Sequence, residues 1–169
     1  MIFVTVGTHE QQFNRLLRAV DELKGNNAVT DDVVIQSGYS EYEPKHCEYK
    51  KMIPYSEMIE YVRKAKIVIS HGGPASFLMS LQFEKIPIVV PRKHEFNEHI
   101  NDHQVEFVKA IEERYGSIIP IFDIGDLGST LEKYDSIIAS KKSKFISCNK
   151  MFNQKLMDII KQWEDVESK

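Results

Sequence analysis

Between the apolar run Lys66–Ser70 and a helical pattern beginning at Pro74, the chain reads SHGGPASFLMS. Gly72 and Gly73 remove side chains from a strand-to-helix turn, so a ligand can approach the backbone there. Pro74 suits the first helical turn, where its missing N–H leaves nothing unsatisfied. The amides of Ala75 and Ser76, the Ser76 hydroxyl and the positive end of the helix could then seat a diphosphate. A plain structural turn would use the same glycines, so the segment by itself leaves both readings open.

A second junction of the same build lies in VTVGTHEQQF. Gly7 supplies a turn after the strand, and Thr8 and His9 lead toward a helix whose first N–H groups favour an anion. A tight turn with a solvent-facing His9 is the competing reading. The pattern is neither GxGxxG nor GxxxxGKS/T, so dinucleotide and P-loop chemistry lack specific support.

HEFNEHINDHQ is dense in polar groups, with Glu98 and Asp102, and His99 and His103, each four residues apart. A helix over Glu98–Arg114 would place each pair on one face. The histidine pair could ligate a metal, but no third ligand stands at a defined spacing. The alternatives are a solvated face or a sugar-binding edge, in which Asp102, His103 and Gln104 meet hydroxyl groups. QSGYSEY, with Gln36 and Ser37, and MIPYSEM, with Tyr55, could border a nucleotide. No DxD occurs, so a metal-bridged diphosphate site of the acidic kind lacks its residues.

Short apolar runs alternate with helical patterns along the chain. Strands are expected at Ile2–Val6, Asp32–Ser37, Lys66–Ser70 and Ile86–Pro91, with an edge strand at Ile118–Phe122, where Pro120 removes a ladder donor. Helices are expected over 11–24, over Tyr55–Ala65 with Ser56 as N-cap, over 74–83 and over Glu98–Arg114. Strands apolar on both faces and separated by helices indicate an α/β, Rossmann-like parallel sheet covered on both sides. Ligands of such sheets sit at the carboxyl ends of the strands, where both glycine turns fall. Phe145, Cys148, Phe152, Leu156, Ile159 and Trp163 form one apolar stripe, predicting a helix over 143–165 that packs back on the domain or docks a partner.

The chain has 169 residues and a net charge of −3, consistent with a single domain and without the basic balance of a nucleic-acid binder. Cys47 and Cys148 match no CxxC pattern and read as thiols in a reducing compartment. The first apolar run is a strand without a basic leader, and no run approaches the roughly 18–20 residues that span a bilayer. A soluble, cytoplasmic protein is the expectation.

Taken in order, VTVGTHEQQF, IQSGYSEY, ISHGGPASF, IPIVVPR and FNEHINDHQ resemble the C-terminal, sugar-nucleotide-binding domain of family 28 glycosyltransferases. The short bacterial capsule and exopolysaccharide enzymes of the PssE type are similar. So are the small catalytic subunit of the dolichol-linked GlcNAc transferase and the C-terminal half of MurG. The resemblance runs from Met1 to about Arg114. It implies one half of a GT-B fold that binds a UDP-sugar without a bound metal or other cofactor. Gly7, Thr8, Gly72, Gly73, Ala75 and Ser76 would hold the diphosphate; Gln36, Ser37 and Tyr55 would border the uridine; Asp102, His103 and Gln104 would lie near the donor sugar. Many relatives carry a Glu for the ribose in the helix after the glycine turn, where this chain has Met79 and Ser80.

The resemblance further implies an inverting transfer of a hexose, galactose foremost, to a lipid-linked saccharide. The acceptor half would come from a separate membrane-anchored subunit at the inner face of the membrane. His9 is the candidate general base within the chain. A nucleotide-sugar-binding subunit without activity of its own, or a nucleotide-dependent enzyme of another class, would be the alternatives.

Overall fold

The computed structural model describes residues 1–141. The helix expected over 143–165 lies outside the described residues. Six parallel strands form one sheet in the order β3-β2-β1-β4-β5-β6. They are β1 (Ile2–Thr5), β2 (Val33–Gln36), β3 (Glu48–Lys50), β4 (Ile67–His71), β5 (Ile88–Val90) and β6 (Ile119–Pro120). Helices with both ends among the described residues are α1 (Asn14–Gly25), α2 (Tyr55–Lys64), α3 (Pro74–Gln82), α4 (His103–Tyr115) and α5 (Leu127–Glu132).

Side chains of a strand alternate between faces, and β1 divides the core accordingly. Ile2 and Val4 join Phe13, Leu16, Leu17 and Val20 on one side of the sheet. Phe3 joins Val34, Val68 and Val62 on the other. Phe3 is in register with both Val34 and Val68, so three neighbouring strands present one apolar row to α2. This is the doubly covered parallel sheet that the apolar runs imply.

Two elements depart from the expectation. β3 is short and polar, with the sequence EYK, and lacks the apolar run that marks the other strands. Its pairing with β2 makes it a strand. The helix expected from Glu98 begins five residues later, at His103. Asn97 adopts φ 55° and the Glu98 carboxylate is engaged by Arg15 and the Lys93 amide, so the chain turns here instead of coiling. The pairs Glu98–Asp102 and His99–His103 therefore do not share a helical face. Pro54, not Ser56, occupies the N-cap position of α2, with Tyr55 as its first helical residue.

The long connection from β2 to β3 is tied to α1 by the buried Asp21. Its carboxylate accepts from the Tyr42 hydroxyl and from the Lys45 and His46 amides. Burial alone would raise its carboxyl pKa; the two amides and the hydroxyl outweigh that and hold it below the usual range. A depressed folded value means stabilisation that is present above about pH 4 and lost as pH falls through the folded value. Asp21→Ala is expected to lower the unfolding free energy by about 2–3 kcal/mol at pH 7, because it strands buried donors. Urea titrations should show that deficit narrowing in acid; an equal deficit at pH 7 and pH 3 would contradict the assignment.

Candidate functional site

Both glycine turns open into one cleft of about 740 Å3 at the carboxyl ends of β1 and β4. Gly7, Thr8 and His9 line it from the first turn; Gly73, Pro74, Ala75 and Ser76 line it from the second. Tyr55, Met58, Leu78, Met79 and Gln82 complete the wall, and Thr5 and His71 reach it from the strands.

The second turn has the geometry of an anion seat. Gly73 is the N-cap of α3 and Pro74 its first residue. The Ala75 amide, in the first turn, has no carbonyl four residues back within the helix to bond, whereas the Ser76 amide donates to the Gly73 carbonyl at 3.2 Å. The helix dipole adds positive potential.

His71 is the residue that the sequence reading passed over. The last residue of β4, it is buried yet lines the cleft. Burial foremost, then the Arg92 charge, pushes its imidazole down to about 3, against a smaller opposing contribution from the Thr5 backbone. The ring is therefore neutral across the physiological range, and its Nδ1 has no partner among the described residues. Its position also explains the glycines. A Cβ on Gly7 would sit 2.4 Å from His71 Cε1, and one on Gly73 would sit 2.3 Å from His71 Nε2. Gly7 in addition has φ +74°, which L side chains rarely adopt. The two turns are glycine because one imidazole is wedged between them. The available signal is a histidine closing an apolar strand directly before one glycine turn, with a second glycine turn after the first strand.

Other expected site residues lie outside the cleft lining. Gln36 is wholly buried and bonds the Thr5 hydroxyl and, at 3.3 Å, the Gly7 carbonyl. Ser37 is buried, and its amide pairs with the Lys50 carbonyl. The Gln104 amide oxygen accepts from the amides of Gly72 and Arg92, each at 3.1 Å, which commits the Gly72 N–H and leaves Gly73 as the glycine at the cleft. Asp102 accepts from the His94 amide, and His103 is exposed at the start of α4. Gln36 and Gln104 thus brace the two turns from behind. Sequence alone marks them as polar residues at strand or helix ends and does not say which way they face.

The two loops that flank the mouth are joined by charge. Arg92 is wholly buried and donates to the carbonyls of Val6, Gln11, Gln12 and Glu98. Burial lowers its pKa to about 10, partly opposed by Glu98, so it remains a cation. Glu98, also wholly buried, takes two bonds from Arg15 and one from the Lys93 amide.

A family model, the glycosyltransferase family 28 C-terminal domain, matches residues 1–161. The chain belongs to this family. No curated protein matches it. Solved structures share its fold at low identity. The glycotransferase of kitacinnamycin superposes with a TM-score of 0.64 at 16% identity, over 95% of this chain and 42% of that one. The glycosyltransferase SnogD from Streptomyces nogalater gives 0.57 at 14% identity, over 94% and 43%. CalG4, the calicheamicin glycosyltransferase, gives 0.53 at 13% identity, over 95% and 43%. The chain spans less than half the length of these neighbours and has the architecture of one half of a GT-B glycosyltransferase. Among the described residues no helix is long and apolar enough to cross a membrane.

The steric conflict at Gly73 is with His71, and Gly73 itself has an unstrained φ of −74°. Gly73→Ala should therefore destabilise by about 1–3 kcal/mol, and most of that should vanish when His71→Ala is added. Additive losses in denaturant titrations would refute the wedge. The sign of the pH effect follows from the same ring. The unfolded histidine takes a proton near pH 6.5 and the folded one near 3, so His71 should erode stability as pH falls below about 6.5. His71→Leu should flatten that slope.

Proposed function

We propose that the chain is the donor-binding, catalytic half of an inverting glycosyltransferase that takes a UDP-hexose, galactose foremost. It passes the hexose to a lipid-linked saccharide in capsule or exopolysaccharide synthesis. A membrane-anchored partner subunit supplies the acceptor half and brings this chain to the inner face of the membrane. The observation that carries this reading is the convergence on one cleft of two glycine turns, the N-terminus of α3 and a neutral imidazole whose Nδ1 has no hydrogen-bond partner among the described residues. Family membership gives the class of reaction, and the neighbouring enzymes, of which the chain covers 42–43%, share its fold.

In this reading the diphosphate lies over Gly73, with the Ala75 amide and Ser76 hydroxyl as donors and the Gly7–Thr8 turn facing it. Leaving-group charge develops on the β-phosphate as the anomeric C–O bond breaks, and the α3 N-terminus is aimed there. That supplies electrostatically what an acidic metal site supplies elsewhere, and the sequence has no DxD to build one. A neutral His71 donates a hydrogen bond to a phosphate oxygen without the cost of burying a second cation beside Arg92. Tyr55 and Met58, at the start of α2, flank the base. Met79 places a thioether on the wall, so ribose hydroxyls find no carboxylate at that position. His9, at the mouth, takes the acceptor proton.

A thermal-shift panel tests the reading. UDP and UDP-galactose should stabilise the protein, and NAD and ATP should not. His71→Ala and Gly73→Leu should each weaken UDP binding by about tenfold or more, a loss of one good hydrogen bond or of the seat itself. Stabilisation by NAD alone would move the protein to another enzyme class. UDP binding without turnover in the presence of the partner would leave a nucleotide-sugar-binding subunit.

A further inference from the structure

The loop that follows β5 does more than close the fold. Its residue His99 lies against His9, with ring centroids 4.9 Å apart and planes inclined by 25°. The two histidines are ninety positions apart in sequence, and a dedicated set of bonds brings them together. Arg92 holds the carbonyls of Gln11 and Gln12, just after His9, and the carbonyl of Glu98, just before His99. Gln12 reaches across to the Phe96 carbonyl at 2.9 Å. Arg15 closes the set through its two bonds to the Glu98 carboxylate.

His9 is fixed in a second way. Its Nε2 lies 2.9 Å from the Gln11 amide oxygen. An amide oxygen only accepts, so Nε2 donates in that contact, and in the neutral ring the lone pair then falls on Nδ1. A base oriented by one neighbour and packed by another is the arrangement that proton transfer requires. His99, for its part, accepts the Asn101 amide at its own Nδ1, at 3.4 Å, and is spoken for on that side.

We propose that His99 is a positioning residue for the transfer reaction, a stacked platform that sets the plane of His9. The inference rests on the reading of His9 as the base. The acceptor oxygen forms its bond to the anomeric carbon while the bond from that carbon to the β-phosphate oxygen breaks, its electron pair leaving with UDP. The acceptor proton passes to His9 Nδ1. Without the platform the His9 ring rotates about its side-chain bonds, and the fraction of time spent in a productive orientation falls. Donor binding, which uses the α3 turn, does not involve His99.

The test uses the full chain and follows UDP release from UDP-galactose with the partner and acceptor present. His99→Ala should lower kcat about tenfold and leave KM for UDP-galactose within about twofold. His99→Phe keeps an aromatic face for stacking and should recover most of the lost rate. His9→Ala should lower kcat by about 100-fold or more. In parallel, nitrogen-15 spectra of histidine-labelled protein should show His9 protonated at Nε2 in the wild type and the Phe variant, and as a tautomer mixture in the Ala variant. A wild-type kcat in His99→Ala, a Phe variant as damaged as the Ala variant, or a His9 tautomer indifferent to residue 99 would each overturn the proposal. A damaged His9→Ala with an intact His99→Ala overturns the platform alone. An intact His9→Ala overturns the base assignment beneath it. The spectra decide the matter even for a preparation that does not turn over UDP-galactose.

Discussion

A charged guanidinium buried between two loops has no access to water and must be solvated by protein. Arg92 meets most of that requirement with four main-chain carbonyls on its two terminal nitrogens, the nearby Glu98 carboxylate and the face of Phe13, whose ring centroid lies 4.8 Å away. Its Nε has no hydrogen-bond partner among the described residues. Taking such an ion out of water costs several kcal/mol, and the interior returns it only with good geometry. The carbonyls come from the loop after β1 and the loop after β5, so neither loop can move independently without stranding the charge. The mouth of the cleft inherits its shape from this one solvation requirement. Arg92 also raises the local potential, which is the second reason that the neighbouring His71 stays neutral.

The same logic ties the two glycine turns together. Gly7 and Gly73 belong to different strand-to-helix junctions, yet each lacks a side chain for the sake of one ring. The strand register makes this possible, since β1 and β4 are adjacent and Thr5 pairs with Ser70, one residue before His71. A change in either turn is therefore felt by the other through the imidazole. Bracing from behind by Gln36 and Gln104 keeps both turns at the spacing that the ring requires.

What could be read from the sequence depended on whether the signal was local. The apolar runs gave five of the six strands, because strands buried on both faces need continuous apolar residues. The GG–P turn was legible because glycine and proline carry their backbone preferences with them. EYK was missed, since an edge strand of three half-exposed residues has no apolar pattern to show. The start of α4 was misplaced for a tertiary reason: Glu98 looks like a helix-face carboxylate until Arg15, 83 residues earlier, is seen to claim it. Gln36 and Gln104 carry the right chemistry for a ligand, and only the fold reveals that their side-chain amides face the backbone, while Ser37 is buried. His71 was hidden for the opposite reason, being the polar end of a run otherwise read for its apolarity.

The borders of the sheet set a limit on how the protein can associate. Among the described residues β6 is the last strand on one side, and the amides of Ile119 and Ile121 both point inward to the carbonyls of Pro87 and Val89. The residue between them, whose nitrogen would face outward, is Pro120, which has no hydrogen to give. β3, on the far side, offers only three residues with polar side chains at both ends. Such blunted margins discourage the sheet from growing by strand addition, the common route to unwanted self-assembly. A second polypeptide seeking a stable seat is thereby turned away from the sheet margins and toward the loops and helices.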